Sequence, residues 1–291
     1  MFQIKLILPA ITIKEQIENL RNLGLIIVDE EQAKQFLRHV SYFRFIKGYS
    51  LGLKDEYGQY KQGTTFEILC ELYFFNQKLR YSLLPLIERL EISLRCQIIN
   101  FFSVAYGSLG YENSENFARK DFHQQFLEEV SREVRQHKNS PFIKNFKNNY
   151  TDGKIPLYAL SEIFTFGTTS KFIKNMLPKD KKEIARFYNM NYVYFESWIE
   201  AIAAVRNICA HYGRIYNAQF IKTPKLYKEY TKQGIGNHRL FAVLLCIKQF
   251  KFLGIEWDRF IEELQTLQQK YSHVRWETMD FPDNWLELLS K

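Results

Sequence analysis

Three features are missing from the 291-residue sequence, and each absence excludes a class of protein. No apolar run reaches about 18 residues, so no membrane-spanning helix is predicted. The four cysteines lie far apart without a Cys-x-x-Cys pair, which argues against a zinc site or disulfides and for reduced thiols. The apolar part of the first ten residues is too short for a secretory signal. We therefore expect a cytoplasmic protein with no membrane partner.

The chain also lacks internal repeats and runs of alternating strand residues, whereas helical spacing is frequent. Between Ile68 and Ile98, apolar residues recur every three or four positions, which predicts the longest helix of the protein. Pro85 interrupts this pattern and is expected to kink or split the helix near Leu84. The pattern as a whole predicts a mostly α fold.

Capping residues and apolar periodicity predict further helices. They cover residues 13–22, Asp29 to about Val40, 120–137, 157–176, 194–211, 240–253 and 256–271. A Thr64-x-x-Glu67 capping box is expected to open the long helix. Residues 138–156 are rich in Asn and Lys and contain two prolines, which predicts a mobile basic loop.

The formal charge of +8 indicates a polyanionic partner, with nucleic acid ahead of an anionic membrane surface, although a solubility bias would look the same. Arg44 and Lys47 lie in an aromatic segment that fits base stacking with phosphate contacts or, more often, simple packing. A second basic stretch spans residues 222–239 and has one acid. Its cations, Lys222, Lys225, Lys228, Lys232 and Arg239, are candidate RNA-binding residues together with Arg44 and Lys47.

The segment from Arg206 to His211 combines a permanent cation, an amide and an imidazole after an apolar helical run. RNA can be cut without a metal when its 2′-OH attacks the adjacent phosphate. Histidine has the pKa to move the protons, and arginine can stabilise the charge on the phosphorane. Asn207 lies one turn before His211 and could orient the imidazole, while Arg214 continues the same face. We predict that Arg206, Asn207 and His211 form the catalytic set, without a metal or cofactor.

The spacing of this motif is weak evidence by itself. Arg132 and His137 have the same spacing in a charged helix, where we interpret it as coincidence. A helix C-terminus that favours Arg and His, with Gly213 as a stop signal, would also produce the pattern.

Supporting residues are expected on the long helix and beyond it. Glu91 and Arg95 share a face with Glu88, which is usually a solvated ladder unless that face turns toward Arg206. With Glu162 and Arg214, Glu91 and Arg95 are the candidate supporting residues.

Several blocks of the sequence resemble one known family. The segment Arg206–His211, followed by Gly213-Arg214, is similar to the R-x4-6-H signature of the HEPN superfamily and to the Abi (abortive infection) family of the AbiD/AbiF type. Four other blocks match in the same order. They are Tyr42–Tyr49, Leu79-Arg80 with Glu88–Arg95, Pro156–Glu162 with Phe166-Gly167-Thr168, and Phe281-Pro282-x-x-Trp285. Tyr158 departs from the tryptophan that is common in this family.

The resemblance implies a HEPN-like helical bundle with a small N-terminal helical extension and basic loops. It implies a phage-defence endoribonuclease that cleaves RNA as a homodimer, because such sites usually combine two motifs and this chain has one plausible copy. Some similar proteins work with a small structured RNA. The expected domains are residues 1–60, packed on the core, and residues 61–291.

Two alternatives remain open from the sequence. The chain could bind or sense RNA without cleaving it, through its basic segments. It could also be the protein partner in a toxin–antitoxin pair.

Overall fold

The structure is a computed structural model that describes residues 9–290 and is built from α-helices, which are joined by turns and by longer non-helical segments such as 50–65 and 211–227. Within these residues only isolated β-bridges occur, with no strand, so the predicted mostly α fold is confirmed. The helices are α1 (Ile13–Asn22), α2 (Glu30–His39), α3 (Tyr42–Tyr49), α4 (Phe66–Tyr106), α5 (Lys120–Gln136), α6 (Pro141–Asn149), α7 (Leu157–Leu160), α8 (Phe166–Asn175), α9 (Pro178–Phe187), α10 (Tyr192–Ala210), α11 (Lys228–Lys232), α12 (Leu240–Ile247), α13 (Gly254–Lys270) and α14 (Trp285–Ser290). None of these helices combines the length and hydropathy that a membrane crossing requires.

The chain divides into two compact units. Unit 1 holds the described residues up to Leu79 together with Thr266–Arg275, and unit 2 holds Arg80–Gln265 together with the described residues from Trp276 onward. The expected division into residues 1–60, packed on the core, and residues 61–291 stays a prediction.

Unit 1 is organised around an aromatic cluster. The ring of Phe36 packs against those of Phe45, Phe66 and Tyr73, with ring centroids 4.7 to 5.7 Å apart. Such rings bury large apolar areas and prefer the tilted and edge-on geometries found here. The side chain of Thr65, not that of Thr64, accepts the hydrogen bond from the Ile68 amide that caps α4.

The core of unit 2 forms around α10 and α12. All eight residues of α12 are buried, as expected for a helix that is apolar all round. Helix α10 packs against α8, α9 and α12, and its buried residues include the predicted stripe. That stripe consists of Phe195, Trp198, Ile202, Val205 and Cys209. The core therefore holds the last turns of α10 in a fixed position.

Helix α4 continues through Pro85, so the predicted split near Leu84 does not occur. Proline removes one backbone hydrogen bond at a cost of about 3 kcal/mol. Leu83, Leu86 and Ile87 are buried on either side of it. Burying each of these side chains contributes roughly 1.5–3 kcal/mol, which together outweighs that cost.

The predicted mobile loop at 138–156 is wrong, because it contains helix α6. Pro141 occupies the first turn of α6, where its fixed φ favours a helix start, and Ile143 is fully buried. The single helix predicted for 157–176 is also wrong. The Thr165 hydroxyl accepts a hydrogen bond from the Thr168 amide and begins a second helix, α8, after α7.

Candidate active site at the end of helix α10

The chain reverses direction directly after the arginine–histidine segment through a compact C-terminal cap. His211 is the C-cap of α10, and Tyr212 follows in the left-handed region with a φ of 59°. The Gly213 amide donates to the Ile208 carbonyl at 2.7 Å and the Tyr212 amide to the Cys209 carbonyl at 3.2 Å, the two bonds of a Schellman motif. A Cβ at Gly213 would lie 2.6 Å from Ile208 Cγ2, so only glycine fits.

Arg206 is held in place by a carboxylate from the long helix. Its Nε lies 3.3 Å from Oε2 of Glu91, whose side chain is only 8% exposed. Oε1 of the same carboxylate accepts a hydrogen bond from Arg95 Nη2 at 2.8 Å. Arg206 Nη1 donates to Oδ1 of Asn207 at 3.3 Å. A half-buried guanidinium with these contacts is preorganised, and its Nη2 donates no hydrogen bond to the described residues.

The face of α4 that carries Glu91 therefore turns toward Arg206. The two helices and the segment after α7 enclose a cleft of about 800 Å³, within the size range of ligand sites. Its polar lining is Glu88, Glu91, Arg95, Asn100, Ser161, Glu162 and Arg206, with Tyr158 and Ile92 among the apolar walls. Three carboxylates and two guanidiniums give the cleft a formal charge of −1.

The structure brings together four of the predicted residues in this cleft: Glu91, Arg95, Glu162 and Arg206. His211 is exposed and is not part of the cleft wall, although the preceding Ala210 is. Its imidazole has no hydrogen-bond partner among residues 9–290. The predicted bond from Asn207 to this imidazole is not formed, since the Asn207 amide oxygen accepts from Arg206 instead. Arg214 lies apart from the cleft and donates to the carbonyls of Tyr216 and Asn217, both at 2.6 Å.

Arg80, which is only 4% exposed, lies in a block that resembles the family but was given no role in the site from the sequence. Its Nη1 donates to the Cys209 carbonyl at 3.2 Å, so a buried cation meets the C-terminal end of the α10 dipole. Its guanidinium also lies 5.7 Å from the ring centroid of Tyr212. An arginine among the apolar positions of α4 was the available signal.

Cys209 lies inside the motif but is not a nucleophile at neutral pH. Burial raises the pKa of its thiol to about 12, although the neighbouring Arg80 guanidinium acts in the opposite direction. The thiol is therefore protonated and serves packing.

The predicted RNA-binding residues fall into two groups. Arg44, Lys47, Lys225, Lys228 and Lys232 are exposed. Lys222 pairs with Glu200 at 2.7 Å, and Arg239 donates to the Thr278 carbonyl at 2.6 Å and pairs with Asp280 at 3.5 Å. The exposed group can meet phosphates directly, whereas Arg239 is engaged within unit 2.

The second arginine–histidine segment, Arg132 to His137, has a different setting. Arg132 is exposed on α5, and His137 is the C-cap of that helix. His137 Nδ1 lies 2.9 Å from the carbonyl oxygen of Glu133, its own helical neighbour. In residues 9–290, no three His, Cys, Asp or Glu side chains group together as a metal site.

Comparison with known proteins adds one finding. The model of the Abi-like protein family matches residues 35–217, which include the whole arginine–histidine segment and Glu91. The chain belongs to the Abi-like protein family. No curated protein and no solved structure matches the chain significantly. Membership of the Abi-like family indicates a role in abortive infection, and thus in phage defence, in general terms.

Proposed function

We propose that this Abi-like protein is a phage-defence endoribonuclease of the HEPN type that cleaves RNA without a metal. The 2′-oxygen of a ribose attacks the adjacent phosphorus, and the bond to the 5′-oxygen of the next nucleotide breaks. The 2′-OH proton passes to a base, and the leaving 5′-oxygen takes up a proton. The products are a 2′,3′-cyclic phosphate and a 5′-hydroxyl.

The observation that supports this proposal most is the fixed position of Arg206. The Glu91 carboxylate and the Asn207 amide occupy its Nε and Nη1 sides, which leaves Nη2 for a phosphate oxygen. Donors that are oriented before the reaction stabilise transition-state charge without reorganisation, and losing one costs on the order of 10²–10³ in rate. Arg95 shares the same carboxylate, with its Nη2 2.8 Å from Oε1 of Glu91.

The exposure of His211 supports a homodimeric site. Its imidazole lies outside the cleft wall, in the turn that follows Ala210, and has no partner among residues 9–290. The cleft of one chain therefore holds Arg206 without a proton-transfer group, and a second chain would present its own His211 there.

The test incubates purified protein with RNA in EDTA and compares wild type with His211→Ala. We expect cleavage with cyclic phosphate ends in wild type and a loss on the order of 10²–10⁴ in the variant. Because the imidazole is exposed, the variant should keep its thermal stability. Equal cleavage by both proteins would contradict the proposal, and loss of wild-type cleavage in EDTA would contradict the metal-free mechanism.

Mixing experiments test the homodimer separately. Wild-type chains are co-refolded with an excess of His211→Ala chains that carry a different tag. A site built from two chains predicts that activity falls more steeply than the wild-type fraction, because most wild-type chains then sit in mixed dimers. A linear fall would place a complete site in each chain.

RNA binding without cleavage is a second candidate function, favoured by three lysines. Lys225, Lys228 and Lys232 are exposed and carry no ion pair among the described residues. Phosphate contacts by such lysines make binding strongly salt-dependent. Charge reversal at Lys225 and Lys228 should then weaken RNA binding while His211→Ala leaves it intact, and unchanged affinity after charge reversal would exclude this surface.

A further inference from the structure

The other side of α10 carries a second concave site, a groove of about 400 Å³ between α5, α8 and α10. Its volume lies within the range of small-molecule sites. The groove and the cleft meet at one pair of residues, since Asn207 lines the groove and its amide oxygen binds Arg206. All of the residues that line the groove belong to unit 2.

Phenyl rings form one wall of this groove. Phe117, Phe126 and Phe172 are buried and pack against one another, with Phe172 at 5.3 Å from each of the other two ring centroids. Phe122 is half-buried and presents more of its ring, with the Arg119 guanidinium 3.7 Å from the ring centroid. Aromatic faces of this kind stack on flat heteroaromatic rings.

The rim of the groove carries an excess of positive charge. Lys171 pairs with Glu129 at 2.8 Å, while Lys174 and Lys222 both pair with Glu200, at 3.1 and 2.7 Å. Three ammonium groups therefore face two carboxylates, a formal charge of +1, in contrast to the −1 of the cleft. An additional anion would be stabilised most at the end of the groove where Lys174 and Lys222 share the carboxylate of Glu200.

Polar groups without internal partners complete the lining. The side chains of Gln125 and Ser170 and the Asn207 Nδ2 donate to no other group among residues 9–290. A small set of hydrogen-bonding groups in an apolar wall is the usual way in which a site orients a ligand with polar edges.

We propose that this groove binds a nucleoside monophosphate unit, with its base against Phe122 and its phosphate at Lys174 and Lys222. The base edge would meet the amide and hydroxyl groups of the lining. The unit could be a free mononucleotide or one nucleotide of an RNA, and the chemistry of recognition is the same. The proposal does not depend on whether the cleft cleaves RNA.

The experiment titrates the His211→Ala chain with AMP, GMP, CMP and UMP, so that RNA cleavage cannot contribute. Binding is followed by calorimetry, with the matching nucleosides and inorganic phosphate as comparison ligands. We expect at least one mononucleotide to bind more tightly than both its nucleoside and phosphate alone. No binding at millimolar concentrations, or equal binding of nucleotide and nucleoside, would overturn the proposal.

Variants locate the site. Phe122→Ala and Lys222→Ala should each weaken binding roughly tenfold, as expected for a lost stack or a lost charge-assisted contact. The matched controls are Phe187→Ala and Lys251→Ala, which remove an exposed ring and an exposed cation outside the groove. Binding that both groove variants leave unchanged would also overturn the proposal, provided that their melting temperatures match the parent.

A final arm separates the two sources of the ligand. A short oligoribonucleotide that displaces the bound mononucleotide would assign the groove to RNA. An oligoribonucleotide that does not compete would assign it to a free nucleotide. Both results retain the recognition chemistry proposed here, and a failure of RNA cleavage in wild type would leave this titration unaffected.

Discussion

The segments 206–211 and 132–137 have the same arginine–histidine spacing, and in both the histidine caps the C-terminal end of a helix. Their surroundings differ. Arg206 is half-buried and paired with the buried Glu91 at the wall of a cleft, whereas Arg132 is exposed on α5. The imidazole of His211 has no partner in the described chain, whereas that of His137 bonds back to its own helix. The two segments therefore share a spacing but differ in their surroundings, and of the two arginines Arg206 is the one paired with a buried carboxylate.

Blocking the cleft at Cys96 is expected to have a large effect on RNA cleavage. This thiol is exposed and lines the cleft, while burial raises the pKa of the Cys70 and Cys209 thiols to about 12 and that of Cys246 well above its usual value. A bulky maleimide should therefore react first at Cys96 and reduce RNA cleavage on the order of 10²-fold by displacing the substrate. The Cys96→Ser protein should be insensitive to the reagent. Full activity of the labelled wild type would show that the cleft is not the site.

Loss of Glu91, which pairs with Arg206, should lower the free energy of unfolding more than loss of Glu133, which pairs with His137. Glu91→Ala leaves two guanidiniums without their carboxylate, and Arg95 and Arg206 are only 21% and 31% exposed. We expect a loss of about 3 kcal/mol in the free energy of unfolding. Glu133→Ala should cost less than about 0.5 kcal/mol, because its pair with His137 is weak. Urea denaturation measures both, and equal losses would remove the distinction between the segments.

The turn after His211 provides a smaller contrast. In Gly213→Ala the new methyl group would meet Ile208 Cγ2 at 2.6 Å and the Ile208 carbonyl oxygen at 2.8 Å. Relieving this overlap should cost roughly 1–3 kcal/mol and move His211. Asn139→Ala, at the matching place after His137, should stay within about 0.5 kcal/mol. A stable Gly213→Ala protein would show that the cap tolerates a shift.

The smallest effect is expected from the loss of Arg132, which contributes to the lowered pKa of Glu129. Burial pushes the pKa of Glu129 up, but hydrogen bonds from Lys171 and Thr168, with a weaker contribution from Arg132, bring it below the usual value. A carboxyl whose pKa is lowered on folding contributes stability above its unfolded pKa of about 4.3 and loses it as the pH falls through the folded pKa. Arg132→Ala should therefore lower the melting temperature slightly at neutral pH and not in acid. A difference that persists in acid would point to lost packing.

Much of the fold could be predicted from local sequence patterns. The helix at 13–22 and the apolar stripe of α10 follow from helical periodicity, which reports on one face of one helix at a time. Pro85 did not split α4, because burial on both sides of it is a tertiary effect that a local rule does not contain. Apolar periodicity predicted one continuous helix over 157–176. Thr165 instead begins a separate helix, because its hydroxyl caps α8.

The site was less predictable, because its contacts join distant parts of the chain. Residue types and family resemblance predicted a site with Arg206, Glu91, Arg95 and Glu162, which line one cleft. The pairing of Glu91 with Arg206 was not predictable, because it bridges α4 and α10. The role of Arg80 against the Cys209 carbonyl could not be read from spacing, since the two residues lie 129 positions apart. The hydrogen-bond partner of the Asn207 amide could not be predicted from spacing either, and in the structure its oxygen accepts from Arg206.

The most direct test of this account is the single-turnover rate of RNA cleavage in EDTA for the matched variants Arg206→Ala and Arg132→Ala. We expect Arg206→Ala to lose cleavage on the order of 10²–10³-fold in protein that circular dichroism shows to be folded, while Arg132→Ala keeps the wild-type rate. If both variants cleave like wild type, or both lose cleavage to the same extent, Arg206 does not stabilise the transition state as proposed.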